Sequence, residues 1–425
     1  MRILHVCESY PPDYGGGAGV YTADICQGQA RHGHEVRVLA VEADGGSDYS
    51  VRTDLQGGVS VRRVTLGAFA TRDPEGWGLG LRGYREHEVR VDALIRSEVG
   101  AWAPDIVHLH TTRPFGEQPF FTLKSLSVPT VAMAHEAWLI CMRLMLLRSP
   151  GSTLCHGPTR VGCTTCLYTH YDPPWAMAKL PWRLVRQGVL PLYRLRRRHR
   201  ARLVPTVVIA YSRFMTEVLR GYLPEVRYIP LGVAHPPSMP PRPTRPRVPF
   251  RFGFFAGAQP VKGLTDVLSA MRQLRQPGVL AELHIWGNDG DRVQQLIAAQ
   301  GASEVARFRG SYTADSMWSA YAEVDAAVMA TRMTEAYGRI PQEAALSGIP
   351  SIVPAVGGLT EQIRDGVDGL LFAFQDADGL ARQMERLVRE PSLYASLASN
   401  LWPVRNTIDA VADIEAVYTA VLDGA

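Results

Sequence analysis

Thr334–Gly358 reads TEAYGRIPQEAALSGIPSIVPAVGG. It opens with a carboxylate, Glu335, in a loop. Gly338 permits a tight turn, and Pro341 sits where a first helical turn tolerates a residue without an N–H. A short helix over Gln342–Ser347 should then end at Gly348. Ser351–Val353 is a short apolar strand, and Gly357–Gly358 makes a second turn. Loop, helix, strand and glycine turn in this order belong to a βαβ arrangement, so a parallel sheet is expected around them. Backbone N–H groups near Gly338–Ile340 are expected at a positive helix end, a seat for a phosphate or diphosphate. Glu343, one turn further in, is placed to accept hydrogen bonds from ribose hydroxyls. Glu335 is placed to reach whatever hangs off the far phosphate. The spacing of the two acids alone fits equally a solvated helix face with one capping carboxylate.

The surrounding residues favour the first reading. Glu335-x7-Glu343, then small residues, Gly348-Ile349-Pro350, the short strand and Val356-Gly-Gly-x-x-Glu361 resemble the donor-site signature of retaining GT-B-fold glycosyltransferases of the family 4 type, which includes bacterial mannosyl- and glucosyltransferases. The resemblance is strongest over 252–372. It implies an α/β protein of two doubly wound Rossmann-like domains facing across a cleft. It also implies a donor that is a UDP or GDP sugar, held by Gly16, Gly17, Lys262, Glu335, Ala336, Tyr337, Gly338, Arg339 and Glu343. His135 and Glu335 would be the catalytic residues, and no catalytic metal is expected.

Length and composition agree with two domains. A chain of 425 residues is too long for one hydrophobic core, and 46% hydrophobic with 20% charged residues suits a globular protein. No apolar run is long enough to span a bilayer. MRILHVCESYPP enters a strand with no secretory apolar region, so a cytoplasmic start is expected. The net charge of +4 is modest but unevenly spread. Between Pro173 and Thr216 there is no acid, while Arg183, Arg186, Arg194, Arg196, Arg197, Arg198, Arg200 and Arg202 fall inside. This reads either as a solvated basic helix face or as a patch facing a phosphate-bearing acceptor or anionic lipid, the latter a peripheral contact on the inner face of the membrane. No interleaved aromatic motif accompanies it, which argues against nucleic acid.

The boundaries expected are an acceptor-binding domain over 1–235, a proline-rich linker over 236–249, a donor-binding domain over 250–402, and a C-terminal helix in 403–425 packing back on the first domain. Arg2–Cys7, the loop Gly15–Gly16–Gly17, a helix Ala18–Arg31 and a strand His34–Val41 start the alternation. The glycines lack the dinucleotide-binding spacing, but they leave room for a phosphate to approach backbone. Asp105–His110 and Pro129–Ala134 read as buried strands. His108 and His110 share one face of theirs. With no third ligand nearby they read as packing and hydrogen-bonding groups rather than a metal site. His135 stands just past the end of the next strand, where ligands gather in open α/β sheets. The resemblance gives a histidine at that place a contact with the transferred sugar.

Cys141-x13-Cys155-x7-Cys163-x2-Cys166 is the most unusual local pattern, in an insert over about 141–174. Three readings stand: a structural zinc ion held by four thiolates, unpaired buried cysteines, or disulfides. Ser149–Pro174 reads as a long glycine- and proline-rich loop. It and Ala68–Gly83 are the segments where acceptor choice would lie.

Seven prolines between Pro236 and Pro249 make an extended linker. Beyond it the alternation restarts with Arg251–Phe255, a loop Gly257–Gly263 and a helix Leu264–Leu274. Lys262 opposes the macrodipole of that helix, which makes a diphosphate partner plausible. The resembled family has an arginine ahead of this lysine. Gly257 stands there instead, and Arg332 or Arg339 could substitute for it. The mechanism implied is front-face attack through an oxocarbenium-like ion pair, with charge on the leaving phosphate stabilised and interdomain closure excluding water. The acceptor would be a saccharide, a lipid-linked sugar or a small molecule, in polysaccharide, glycolipid or specialised-metabolite synthesis. A nucleotide-sugar epimerase and a catalytically silent sugar-nucleotide binder are the competing functions.

Overall fold

The computed structural model describes residues 1–12, 16–42, 49–66, 80–148, 153–168, 189–236, 245–313 and 316–424. The chain divides into two compact units, Met1–Leu231 with Thr407–Ala425, and Gly232–Asn406. Each is built on a largely parallel sheet flanked by helices.

In the first unit the strands are β1 (Arg2–Cys7), β2 (Glu35–Val41), β3 (Val51–Gln56), β4 (Val59–Val64), β5 (Ile106–Leu109), β6 (Thr130–Met133), β9 (Val207–Ala210) and β10 (Val226–Tyr228). They form one sheet in the order β10-β9-β6-β5-β1-β2-β4-β3, parallel except for the edge pair β3–β4. A separate small hairpin joins β7 (Leu147–Arg148) to β8 (Thr153–Leu154). The central strands are largely apolar and buried, as expected where helices cover both faces of a parallel sheet. Ile3, Leu4, Val6, Val38, Leu39, Ile106, Val107, Val131 and Ile209 are all fully or almost fully buried.

Helix α1 (Gly17–Arg31) follows β1, and α2 (Gly80–Trp102) and α3 (Gln118–Ser125) flank β5. Helix α4 (Arg160–Tyr168) lies inside the segment expected to be loop, and α5 (Leu190–Ala201) carries the arginines. Helix α6 (Arg213–Arg220) is capped by Ser212, whose hydroxyl accepts from the Met215 N–H at 3.0 Å. The last helix, α13 (Thr407–Asp423), packs on α1, and Val411 sits so close to Gly28 that a Cβ there would lie 2.7 Å from its methyl.

The basic stretch is not the uninterrupted solvated face its composition suggests. Arg194 and Arg198 point into the core, at 1% and 2% exposure. Arg198 stacks on Trp138 with 3.9 Å to the ring centroid and donates to Glu117 Oε1 at 2.7 Å; Arg194 lies over Tyr84. Arg197 pairs with Glu88 at 2.6 Å and covers Phe121. Arg196 and Arg200 are the exposed arginines of α5, while 183 and 186 lie outside the described residues. The lipid-facing reading therefore loses three of its charges to internal pairs. Glu117 is itself fully buried and also accepts from the Tyr84 hydroxyl at 2.8 Å. Burial pushes its carboxyl up, but Arg198 and Arg194 outweigh that, and the net shift is downward. Glu117→Ala strands two buried guanidinium groups and should cost about 3–5 kcal/mol in urea unfolding. A loss below about 1 kcal/mol would mean that both arginines reach water.

In the second unit β11 (Phe250–Phe254), β12 (Ala281–Trp286), β13 (Ala306–Gly310), β14 (Ala326–Val328), β15 (Ser351–Pro354) and β16 (Gly369–Phe372) form a parallel sheet in the order β13-β12-β11-β14-β15-β16. The chain builds outward from β11 on one side, then returns to its other side at β14. That reversal is a topological switch point, where the strand ends leave a crevice for a ligand. Helix α7 (Leu264–Gln273) buries Leu264, Val267, Leu268 and Met271 on one stripe. Helices α8 (Gly290–Ala299), α9 (Met317–Ala322), α10 (Ile340–Leu346), α11 (Ala377–Arg389) and α12 (Pro391–Ser399) complete the layers. Among the described residues no helix is long and apolar enough to cross a membrane.

Candidate functional site

The switch point of the second unit brings the predicted lysine and the first predicted acid together. Lys262 ends a one-turn 3-10 segment, Pro260–Lys262, after β11, and Glu335 lies in the loop after β14. Lys262 Nζ donates to Glu335 Oε1 at 2.8 Å, although 73 residues separate them. Glu335 is 8% exposed. The two loops approach so closely that only glycine fits between them. A Cβ on Gly263 would lie 1.8 Å from the Ala330 carbonyl oxygen.

The second glycine turn serves the same loop from the other side. The Gly358 N–H donates to the Glu335 carbonyl at 2.9 Å. Cβ atoms on Gly357 and Gly358 would each stand 2.3 Å from a carbonyl oxygen, those of Glu335 and Ala336. The turn thus clamps the backbone that presents Glu335. The side-chain amide of Gln362 donates to Gly338 O at 3.0 Å and holds the following residues, while Gln342 donates to the Tyr337 hydroxyl at 2.8 Å.

Helix α10 begins two residues earlier than expected, at Ile340, with Arg339 as its cap residue and no side-chain capping bond. Glu343 is 5% exposed and does not lie on a solvated face. Its Oε2 accepts from the Tyr321 hydroxyl at 2.8 Å and its Oε1 from Arg339 Nε at 3.0 Å. An ionised carboxylate has about four lone-pair sites, so acceptor capacity remains for a further donor. The two arginines considered as stand-ins are both engaged: Arg332 forms a two-pronged pair with Asp266, and Arg339 holds Glu343.

In the first unit the strand order reverses between β1 and β5, and histidines fill that junction. His5 on β1 stands in register with His108 on β5, and His110 follows directly. His135 comes just after the neighbouring β6. These rings and their partners form one hydrogen-bonded chain. The Tyr211 hydroxyl lies 3.1 Å from His135 Nδ1, His135 Nε2 lies 2.7 Å from His110 Nδ1, and His110 Nε2 lies 2.9 Å from His5 Nδ1. His5 Nε2 then meets Gln29 Oε1 at 2.8 Å, Gln29 Nε2 donates to the Tyr418 hydroxyl at 3.2 Å, and that hydroxyl meets His108 Nδ1 at 2.5 Å. With the Gln29 oxygen accepting from His5, each of His135, His110 and His5 accepts at Nδ1 and donates at Nε2, so a neutral tautomer of every ring fits. Burial holds them neutral: it pulls His5 down to about 4 and His135 to about 3, and His108 and His110 well below the usual range.

The expectation that His108 and His110 lack a third partner is corrected by His5. One ligand nitrogen from each of the three lies within 4.8 Å of the others. A dication there would have to break the His5–His110 bond. The His108 and His110 rings stack 4.4 Å apart at 23°, so their in-plane lone pairs do not converge. The hydrogen-bonded chain is the reading that uses the observed contacts.

Gly16 precedes α1 with φ 101° and open space beyond its Cα, Gly17 is the first residue of α1, and Gly15 lies outside the described residues. Ala68–Gly83 is not described up to residue 79, and α2 already begins at Gly80. Sequence reading alone gives no role to His5, Gln29, Tyr211, Tyr321 or Tyr418. Burial pushes the Cys141 thiol up to about 11, which removes it as a nucleophile.

Comparison with known proteins identifies the family. Residues 15–235 match the family described as Glycosyltransferase Family 4, and residues 242–401 match Glycosyl transferases group 1. The chain is 26% identical over 396 residues to a D-inositol 3-phosphate glycosyltransferase of Actinosynnema mirum, covering 91% of this chain and 87% of that protein. It is 24% identical over 409 residues to a glycogen synthase of Mycobacterium tuberculosis, covering 92% and 87%. Among solved structures, a sucrose-phosphate synthase from Thermosynechococcus elongatus superposes with TM-score 0.71 at 16% identity over the whole of both chains. The Anabaena protein HepE, solved with UDP-glucose, does so with TM-score 0.61 at 17% identity, again over the whole of both chains. These neighbours share the GT-B fold.

Proposed function

We propose, since this chain belongs to glycosyltransferase family 4 and is a hexosyl-transferring enzyme, that it moves a hexose from a nucleoside-diphosphate sugar to a hydroxyl acceptor with retention of anomeric configuration. The observation that carries the reading is the Lys262–Glu335 pair at the switch point of the second sheet. A donor diphosphate draws the Lys262 ammonium to its oxygens and frees Glu335 to accept from sugar hydroxyls. Glu343 accepts from the ribose with the lone pairs left by Tyr321 and Arg339. His135, neutral at working pH, exchanges its Tyr211 hydrogen bond for one to the sugar.

The reaction breaks the bond between the anomeric carbon and the β-phosphate oxygen. It forms the bond to the acceptor oxygen on the same face, and the acceptor proton passes to the departing phosphate. Lys262 stabilises the charge that builds on that phosphate. No metal is needed for a leaving group already activated as a diphosphate. UDP sugars are the first donors to try, because the Anabaena neighbour was solved with one. The acceptor is a saccharide, a lipid-linked sugar or a small polyol.

The test is a panel of sugar nucleotides with saccharide and polyol acceptors, scored by nucleoside-diphosphate release and by the anomeric proton coupling of the product. One donor should turn over only when acceptor is present, with the donor's configuration kept. An inverted product rejects the mechanism. Isomerised donor without transfer makes the chain an epimerase.

A further inference from the structure

The cysteines of the insert stand on three separate pieces of backbone. Cys141 follows the turn Ala137–Leu139, and its N–H donates to the Ala137 carbonyl at 2.7 Å. Cys155 comes directly after β8, tied by its N–H to the Leu146 carbonyl at 2.7 Å. Cys163 and Cys166 lie one turn apart on α4, a spacing that puts both on one face. All four, together with Leu146, Leu147 and Arg143, line one cavity of about 30 Å³. That is room for a single ion or water rather than an organic ligand. None of the four is in a disulfide.

We propose that Cys141, Cys155, Cys163 and Cys166 hold one zinc ion as a tetrahedral structural site. Four thiolates at about 2.3 Å close its coordination sphere, leaving no open position for catalysis. Among the described residues no three of the four sulfurs come within 4.8 Å of one another, so zinc must draw them inward; two further features support the assignment. The Arg143 guanidinium donates to the Leu147 carbonyl at 2.9 Å and stands 3.8 Å from the Cys166 sulfur, which places positive charge beside a thiolate set that carries net negative charge once zinc is bound. The described elements of the insert are short, and α4 packs on α5. The hairpin β7–β8 is two residues a side, and α4 has nine residues, too short to be stable alone. Zinc would join turn, hairpin and helix, and would fix the segment that begins six residues after His135. The site stands apart from the catalytic reading and does not depend on it.

Full-length protein purified from zinc-supplemented culture should contain one zinc per chain by elemental analysis. Native mass spectrometry should show it lost only as the four thiols become open to alkylation. Exchange with cobalt should give intense tetrahedral bands and a near-ultraviolet sulfur-to-cobalt charge-transfer band. Cys163→Ser/Cys166→Ser should drop zinc content at least tenfold. Should that variant fail to fold, the cobalt spectrum of the unaltered chain decides alone. Zinc that survives the double substitution, or cobalt bound without the sulfur band, puts the ion elsewhere, with His5, His108 and His110 the first place to look, and overturns the proposal. Zinc-free protein whose four thiols alkylate freely, or are found oxidised in pairs, overturns it as well.

Discussion

Glu335→Gln should lower kcat by about 10²–10³-fold, the range seen when one preorganised transition-state contact is removed. The amide keeps shape and one acceptor but loses the charge that answers both Lys262 and the electron-poor sugar. Lys262→Ala should act on the same step and also weaken nucleoside-diphosphate binding about ten- to a hundredfold, the worth of charge-assisted hydrogen bonds. Neither change should move the thermal midpoint much. Lys262 is a quarter exposed, and a partly solvated ion pair contributes about 1 kcal/mol or less. The combination tells apart a site from a structural salt bridge: activity collapses while the fold stays. Because the two side chains touch, the double variant should lose far less than the product of the single losses. Unchanged nucleotide affinity in Lys262→Ala would put the diphosphate somewhere else. A Glu335→Gln enzyme retaining a tenth or more of wild-type kcat would remove that carboxylate from the chemistry.

The second large effect is on stability below neutral pH. Burial pulls His5 down to about 4 and His135 and His87 to about 3, and holds His108 and His110 well below the usual range. In the unfolded chain these rings titrate near about 6.5. Between that value and the folded values the unfolded state binds more protons, so stability is intact above about pH 6.5 and falls as pH drops. Each ring contributes about 1.4 kcal/mol per pH unit. His5 and His135 alone should remove about 3 kcal/mol by about pH 5.5, and the full set rivals a typical total of about 5–15 kcal/mol. Ordinary carboxylates titrate near about 4, so they do not explain a loss at this pH. Urea midpoints at pH 7.5, 6.5 and 5.5 read the effect, and His110→Asn should reduce its slope by about one proton. A midpoint that stays flat down to pH 5 would show that the rings are solvated.

Much of the fold could be read from local pattern. β1 falls on the residues that alternation and turn signals assign, and most other elements placed from the sequence fall within one or two. The Gly57–Gly58 turn between β3 and β4 carries a hairpin signal that single-sequence reading could have used. The C-x2-C pair reads as loop because prolines and glycines surround it, yet a nine-residue helix fits between them. Composition misreads the arginine run because it counts charges without saying which face of α5 meets Glu117 and Glu88.

What the chain determines by itself is therefore the alternation of strands and helices, the glycine turns, and the identity of Lys262, Glu335, Glu343 and His135 as candidates. The alternation and the turns follow from side-chain periodicity and backbone sterics within a few residues; the four candidates follow from the family resemblance of the residues around them. Only the tertiary structure decided that Lys262 meets Glu335, that His5 joins His108 and His110, that Tyr418 closes their chain from 310 residues away, and that four cysteines share one cavity. Such pairings depend on strand order and register, which the whole core sets by burying every apolar face at once, and no local window of sequence contains them.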